Sequence, residues 1–381
     1  MQNKTQSPVL EVSLGTIAEN YRNLSRIAGG ATCAAVVKAD AYGFGAKPIS
    51  SALYDAGCRD FFVASVQEGT SLRGSLDKSA KIYLLNGIIS EYEAAEAASN
   101  FLTPVLNNMG SIEIWAQQAR NTDYKSTVIQ IDTGMNRLGL KPDQIDSALS
   151  IIKKNSLDLE LVMSHLSDSE NSDSPRNREQ KLVFDEARSK INSGSLNPKF
   201  SLAASSGLFI GPEFHYDIVR CGCGIYGSAP FAKDCSNILP AYKLTAPIIQ
   251  VTRVLEGEAV GYSSGWIAQR DSTILTVSMG YADCLPRNLA GWQVRLDDHA
   301  DEQRLGIVVG LVSMDVLNVD ITDCNLPLDA IKLGTDVVLA SGIPGCTLDD
   351  MADHSGVIFE EITTRLGPRV VRQYSYNAKG L

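Results

Sequence analysis

The sequence predicts an α/β protein: an N-terminal (β/α)8 barrel of the TIM type followed by a C-terminal all-β domain. Three observations predict it. Short runs rich in β-branched and aromatic residues alternate eight times with helical segments between Cys33 and Gly227, the pattern of parallel strands joined by right-handed crossovers. No G-x-G-x-x-G loop follows the first run, only Gly43-Phe44-Gly45 in another context, which disfavours a doubly wound open sheet. Past Leu239-Pro240 the helical spacing gives way to strand-like runs broken by turn signals such as Glu256-Gly257, Leu333-Gly334 and Pro344-Gly345. The expected boundaries are 10–240 for the barrel and 241–381 for the β domain.

The expected barrel strands are Cys33 to Lys38, Phe61 to Val66, Lys81 to Leu85, Phe101 to Leu106, Thr127 to Asp132, Leu159 to His165, Phe200 to Ser205 and Tyr216 to Arg220. Between them Ile49 to Ala56, Glu91 to Ala98, Ile112 to Ala119, Gln144 to Ile152 and Arg178 to Ile191 repeat their apolar residues at helical spacing. Ser167 to Lys181 carries no aliphatic or aromatic hydrophobe and reads as a solvated loop or lid after the sixth strand. The strand-like runs of the second domain are Pro247 to Leu255, Thr273 to Met279, Trp292 to Leu296, Leu305 to Val319 and Asp336 to Ser341.

Composition narrows the function. At 381 residues the chain is long enough for two domains with sizeable cores. With 34 Lys+Arg against 44 Asp+Glu the formal charge is −10, which disfavours nucleic acid and anionic membrane as partners. The N-terminal residues lack the apolar stretch of a signal peptide and no run of 18 apolar residues occurs, so a cytoplasmic protein is expected. The cysteines Cys33, Cys58, Cys221, Cys223, Cys235, Cys284, Cys324 and Cys346 are scattered. Only Cys221 and Cys223 are close, with no second pair or histidine to complete a metal site, so buried free thiols and no metal are expected.

A barrel enzyme carries its working groups at the carboxyl ends of its strands. Here those ends hold Lys38, Arg137 beyond the fifth strand, His165, Ser205-Ser206, and Arg220 followed by Gly222. Taken singly each has a plain structural reading: a solvated rim charge, a hydrogen-bonded core histidine, a helix-capping serine. Together they point to chemistry. A lysine closing the apolar run Ala34-Ala35-Val36-Val37 is costly to bury charged, and a partly desolvated amine suits Schiff-base formation. Loops after strands seven and eight, with Ser205, Gly222 and the backbone of Cys223, form the recurrent phosphate site of this fold. Lysine plus phosphate cradle suggests pyridoxal 5'-phosphate.

The residues also carry a family resemblance. Ala35-Val36-Val37-Lys38-Ala39-Asp40-Ala41-Tyr42-Gly43-Phe44-Gly45 resembles the cofactor-attachment motif of alanine racemases. In the same order follow Asp132-Thr133-Gly134-Met135-Asn136-Arg137-Leu138-Gly139, Met163-Ser164-His165, Asp217-Ile218-Val219-Arg220 with Gly222, and Tyr226-Gly227. Gly261-Tyr262, Gly280-Tyr281-Ala282-Asp283, Ser313-Met314-Asp315 and Arg365 to Arg369 continue it through the second domain. The resemblance implies a pyridoxal-phosphate racemase of a small amino acid, alanine first, supplying D-alanine for bacterial cell wall. It implies a head-to-tail homodimer in which the β domain of one subunit completes the active site of the other. Lys38 is similar to the lysine that holds the cofactor and serves one face of the substrate. Tyr262 is similar to the base on the opposite face, and His165 to the histidine linking that tyrosine to Arg220. Arg220 resembles the arginine facing the pyridine nitrogen. Tyr42, Ser205 and Gly222 resemble phosphate ligands, while Arg137, Tyr281 and Met314 resemble groups around the cofactor oxygen and substrate carboxylate. Racemisation of another small amino acid such as serine, or a non-catalytic pyridoxal-phosphate protein sharing the barrel, are the alternatives. The latter would lack the second domain and a counterpart of Tyr262. A fold relative that decarboxylates basic amino acids is disfavoured by Arg220, because that reaction benefits from a protonated ring.

The sequence departs from the family pattern at Phe44, Gln130, Ala204 and Cys221, where many members have His, Lys, Asn and Pro. In those members the lysine is a carbamate that orients the neighbouring arginine. Gln130 cannot become one, so Arg137 is expected to be positioned by a neutral amide or a bound anion.

Overall fold

A computed structural model describes residues 6–194, 196–228, 237–296, 305–324 and 331–376 of the chain. The chain divides into two compact units, one of Ile17–Ile238 and one formed by Met1–Thr16 together with Leu239–Leu381. Strand β1 (Val9–Ser13) therefore belongs to the second unit, although the expected boundary at residue 10 placed it with the barrel.

The strands of the first unit are β2 (Thr32–Val36), β3 (Asp60–Val63), β4 (Lys81–Leu84), β5 (Leu102–Leu106), β6 (Ser126–Gln130), β7 (Asp158–Met163), β8 (Lys199–Ser201) and β9 (Ile218–Cys221). They lie in the order β8-β7-β6-β5-β4-β3-β2-β9 with every pairing parallel. The ring closes where Ala204 bridges Arg220 and the amides of Asp217 and Arg220 donate to Phe200 O (3.0 Å) and Ala203 O (3.0 Å). Each expected strand is present. Strands β5 and β6 are buried at every residue because a barrel strand faces the packed interior on one side and the helices on the other. That is why they read as continuous apolar runs rather than alternating ones.

The polar stretch Ser167 to Lys181 is a loop only up to its middle. A helix starts at Pro175 and runs to Asn192, with proline in its first turn where the missing N–H costs nothing. The first turns of that helix are polar because they face solvent, and Asn177 and Gln180 are buried by their hydrogen bonds rather than by apolar packing. Two barrel-side helices, Leu14–Ala28 and Val66–Arg73, lie outside the helical segments expected from the sequence.

The second unit adds β10 (Tyr242–Val254), β11 (Ala259–Val260), β12 (Trp266–Ile267), β13 (Ser272–Val277), β14 (Gln293–Arg295), β15 (Leu305–Val309), β16 (Leu317–Asp320), β17 (Asp336–Ala340) and β18 (Val371–Ser375). Its main sheet runs β13-β16-β15-β14-β17-β10-β1-β18, and β13 also pairs β10, so six strands close on themselves. The long run Leu305 to Val319 is two antiparallel strands joined by a turn. Two short helices, Leu348–Ser355 and Phe359–Thr363, make this unit mainly rather than wholly β.

Cys33, Cys58, Cys221, Cys284, Cys324 and Cys346 are buried free thiols and Cys223 is half-buried, while Cys235 lies outside the described residues. Among the described residues no helix is long and apolar enough to cross a membrane, and no group of three His, Cys, Asp or Glu is placed to hold a metal ion.

Candidate active site

The apolar run of β2 ends at Val36, and Lys38 opens a turn rather than finishing the strand. Ala39, Asp40, Ala41 and Tyr42 all stand in the left-handed region, with φ of 52°, 54°, 54° and 57°. For L-residues this costs about 1–2 kcal/mol each, so the surroundings must over-determine it. Part of the support is internal: Gly43 N donates to Ala39 O (2.9 Å) and Gly45 N to Asp40 O (2.8 Å). Part comes from carboxylates. Asp40 Oδ1 accepts from Ala46 N (2.7 Å), and Glu68 accepts from Ala39 N (2.9 Å) and from Ala64 N (2.7 Å). Sequence reasoning missed Glu68. The available signal was Ser65-x-x-Glu68, the pattern of a capping box, and Ser65 Oγ does accept from Glu68 N (3.3 Å).

Arg220, inside β9, is 3% exposed. Its Nη1 donates to Ser201 Oγ (2.5 Å), and its Nη2 donates to Ser164 O (2.5 Å), Leu202 O (3.4 Å) and His165 Nδ1 (3.4 Å). Its Nε has no acceptor among the described residues. Burial pulls the guanidinium down to about 10, which still leaves it cationic near neutrality. An arginine can only donate, so His165 Nδ1 is an acceptor and the ring carries its proton on Nε2. Burial, then the charges of Arg220, Arg137 and Lys38, push His165 down to about 3. Lys38, Arg137 and His165 follow the carboxyl ends of the parallel strands β2, β6 and β7, and Arg220 stands near the carboxyl end of β9, so all four belong to the same barrel end.

Beyond β6 the loop carrying Arg137 is tied down by its own backbone. Asp132 N donates to Leu140 O (2.9 Å) and Leu140 N to Gln130 O (2.8 Å). Asp132 accepts from Gly134 N (2.9 Å), Asn136 N (3.0 Å) and Lys141 Nζ (2.6 Å). Gln130 departs from expectation: its Nε2 donates to Leu138 O (3.0 Å) and does not meet the Arg137 guanidinium, which is exposed. The amide nitrogen needs an acceptor and a guanidinium offers none, so Nε2 holds the backbone of the loop through the Leu138 carbonyl. Gln180, 1% exposed, joins this loop to the next by donating to Thr133 Oγ1 (3.0 Å) and His165 O (3.0 Å).

Ser205, 2% exposed, follows β8 by four residues, and its Oγ accepts from Gly222 N (2.8 Å) and Gly224 N (3.4 Å). A Cβ on Gly222 would come within 2.3 Å of Tyr42 Oη, so only glycine lets the phenol reach this wall. The Tyr42 ring leans on Tyr226 at 4.9 Å, and Phe44 stacks on Tyr226 at 5.1 Å. Cys223, half-buried, opens the short turn Cys223–Tyr226.

Tyr262, Tyr281 and Met314 stand in the second unit and are 64%, 42% and 53% exposed. Tyr262 follows Gly261 (φ 77°) in a tight turn. Tyr281 and Met314 lie on adjoining turns, with Tyr281 N donating to Ser313 O (3.0 Å) and Ala282 N to Met314 O (3.0 Å). A Cβ on Gly280 would meet Met314 O at 2.2 Å, which fixes glycine there. Arg369 ties the two turns together through Asp283 (2.7 and 2.9 Å) and Asp315 (2.6 Å).

A parallel barrel with these polar groups at one end, followed by a β unit with exposed tyrosines, has the two-domain plan of the barrel-type racemases. The family model "Alanine racemase, N-terminal domain" matches residues 12–230 and "Alanine racemase, C-terminal domain" matches 241–374. The alanine racemase of Rickettsia africae (strain ESF-5) is 38% identical over 371 residues, covering 96% of this chain and 98% of the relative. The biosynthetic alanine racemase of Agrobacterium fabrum is 36% identical over 378 residues, covering 97% and 94%. Among solved structures, alanine racemase from Bartonella henselae with covalently bound pyridoxal phosphate superposes with a TM-score of 0.87 at 32% identity, covering 97% of this chain and 100% of that one. Alanine racemase from Streptomyces coelicolor A3(2) gives 0.90 at 27% identity, covering 99% and 100%. The chain belongs to the alanine racemase family.

Proposed function

We propose that this chain is a pyridoxal 5'-phosphate-dependent racemase that interconverts L- and D-alanine. The observation that carries the reading is the placement of Lys38, Arg137, His165 and Arg220 at the carboxyl ends of parallel barrel strands, with Arg220 Nη2 on His165 Nδ1 (3.4 Å), in a chain of this family. The residues present fit the cofactor. Arg220 has an unclaimed Nε on a guanidinium otherwise fixed by oxygens, and the Tyr42, Ser205 and Gly222 wall offers two hydroxyls where a side chain on residue 222 would intrude.

When bound, pyridoxal phosphate supplies an electron-withdrawing ring that makes the substrate α-hydrogen acidic. The remaining work falls to the chain. Lys38 holds the cofactor through its Nζ and exchanges a proton with the α-carbon on one face. Tyr262 of a second subunit does so on the other face, since inversion needs a donor opposite the acceptor. His165 stays neutral with its proton on Nε2, a donor for the phenol oxygen that favours the ionised form of the tyrosine. Arg220 cannot take up a proton, so it presents the ring nitrogen with a donor only. Tyr42, Ser205, Gly222 and the backbone of Cys223 hold the phosphate. Arg137, Tyr281 and Met314 surround the substrate carboxylate. The working form is a head-to-tail homodimer in the cytoplasm, and its product serves cell-wall synthesis.

Incubating the holoenzyme with a panel of L-amino acids and resolving the enantiomers by chiral chromatography tests the reading. Alanine should racemise fastest. Faster turnover of serine would move the substrate, and no racemisation of any member would overturn the activity.

A further inference from the structure

The left-handed turn from Ala39 to Tyr42 raises the question of what sets the direction of Lys38. The first peptide N–H after the lysine, that of Ala39, donates to Glu68 Oε1 at 2.9 Å. The other oxygen, Oε2, takes the N–H of Ala64, just past the end of β3, at 2.7 Å. One carboxylate thus joins the exits of two neighbouring strands, and β2 and β3 are themselves paired at Ala35 with Phe61 and Val36 with Phe62. Glu68 is held in turn on the first turn of the helix Val66–Arg73, where Ser65 caps its amide. The far end of the left-handed turn is secured separately by Asp40 on Ala46 and by the Tyr42–Tyr226 ring contact.

We propose that Glu68 is a positioning residue for the cofactor lysine: its two oxygens clamp the backbone on the C-terminal side of Lys38 to the end of β3 and so aim Nζ. The inference rests on Lys38 being the cofactor-bearing lysine. A cavity of about 520 Å³ lies beside the clamp, lined in part by Val37, Asp40, Lys47, Gln67, Glu68 and Ser71. It gives solutes access to the carboxylate position, and that access makes the clamp testable by replacement.

The experiment uses apo-protein of wild type, Glu68→Gln, Glu68→Ala and the cavity-wall control Gln67→Ala. Two ligands are compared: pyridoxal 5'-phosphate, whose aldehyde condenses with the lysine amine with loss of water, and pyridoxamine 5'-phosphate, which has no aldehyde and cannot. Borohydride reduction followed by mass spectrometry measures covalent capture at Lys38, and fluorescence titration measures pyridoxamine phosphate affinity. In Glu68→Gln one oxygen is replaced by a second donor facing an N–H, so the capture rate should fall about ten-fold, with pyridoxamine phosphate affinity changed less than about two-fold. In reconstituted enzyme kcat should fall while KM for alanine holds. Millimolar formate or acetate should restore part of the capture rate in Glu68→Ala, and Gln67→Ala should behave as wild type.

If Glu68→Ala does not fold, the isosteric glutamine variant still decides the matter. Capture in Glu68→Gln equal to wild type overturns the clamp. So does an equal loss of both ligands, which would mark a general structural defect. A wild-type chain that captures no pyridoxal phosphate at Lys38 would instead overturn the reading of the cofactor lysine itself.

Discussion

Gln130 illustrates how one side chain can redirect a loop's support. Its amide spends its donor on Leu138 O, inside the segment that presents Arg137. Gln130→Leu would leave that carbonyl without its partner at a cost of about 1 kcal/mol, and the expected result is a several-fold higher KM for alanine with kcat little changed. Because residue 130 cannot form a carbamate, the wild-type rate should not depend on bicarbonate, whereas Gln130→Lys should acquire that dependence. Initial rates in degassed buffer, with and without bicarbonate, check both. His165 makes a second residue-scale prediction. Its folded value of about 3 lies below the ordinary 6.5, so between those two pH values the unfolded chain binds more protons than the folded one. Stability contributed by the neutral ring is complete above about pH 6.5 and drains away as pH falls toward 3. Replacing His165 by Asn should flatten this part of the acid limb in urea unfolding, and identical pH slopes for variant and wild type would contradict the assignment. Lys38, His165, Ser205 and Arg220 were legible because polar residues at the ends of apolar runs stand out. Glu68, Ser201 and Gln180 were not, since each is defined by partners from other strands or loops that no local pattern announces.

At the scale of elements, the barrel strands were readable because burial on both faces leaves an unbroken apolar signal, although their ends were not. β8 stops at Ser201, four residues before Ser205, because closure onto β9 is made by backbone bonds beyond the strand. Strand β1 escaped for a different reason. Val9–Ser13 is a brief alternating run directly followed by a helix, and its partners lie at Tyr242–Thr245 and Val371–Ser375. Such pairing carries no sequence-local mark. The structure predicts that this strand stabilises the β unit rather than the barrel. Leu10 is fully buried, so Leu10→Ala should cost about 2–5 kcal/mol. Hydrogen exchange should then speed up in β10 and β18 and leave β2 to β9 as they were. Faster exchange confined to the barrel strands would refute the placement.

For the whole molecule, the proposed head-to-tail dimer makes a prediction that no single subunit could satisfy. Lys38→Ala and Tyr262→Phe should each be nearly inactive as homodimers. Dissociated and reassembled together, they give heterodimers with one doubly altered site and one intact site, so statistical pairing should return about a quarter of wild-type activity. No recovery, with heterodimers shown by native mass spectrometry, would mean that both residues serve the same subunit's site.

The pairing of β1 with β10 and β18 also has a bearing on biosynthesis. The ribosome releases β1 first and β18 last, and at about 5–20 residues per second roughly 20–70 s separate them. Through most of that interval the strands of the barrel emerge in order, each beside the neighbour it will bond, and can be completed before β10 exists. β1 meanwhile hangs as an unmatched edge that must neither join the growing barrel nor find another nascent chain. Glu11 at its centre sets a charge on that edge, a common guard against premature strand addition. Translation pauses placed after Ile238 should thus favour correct folding, and early release of truncated chains should leave an intact barrel trailing a β strand in search of a sheet.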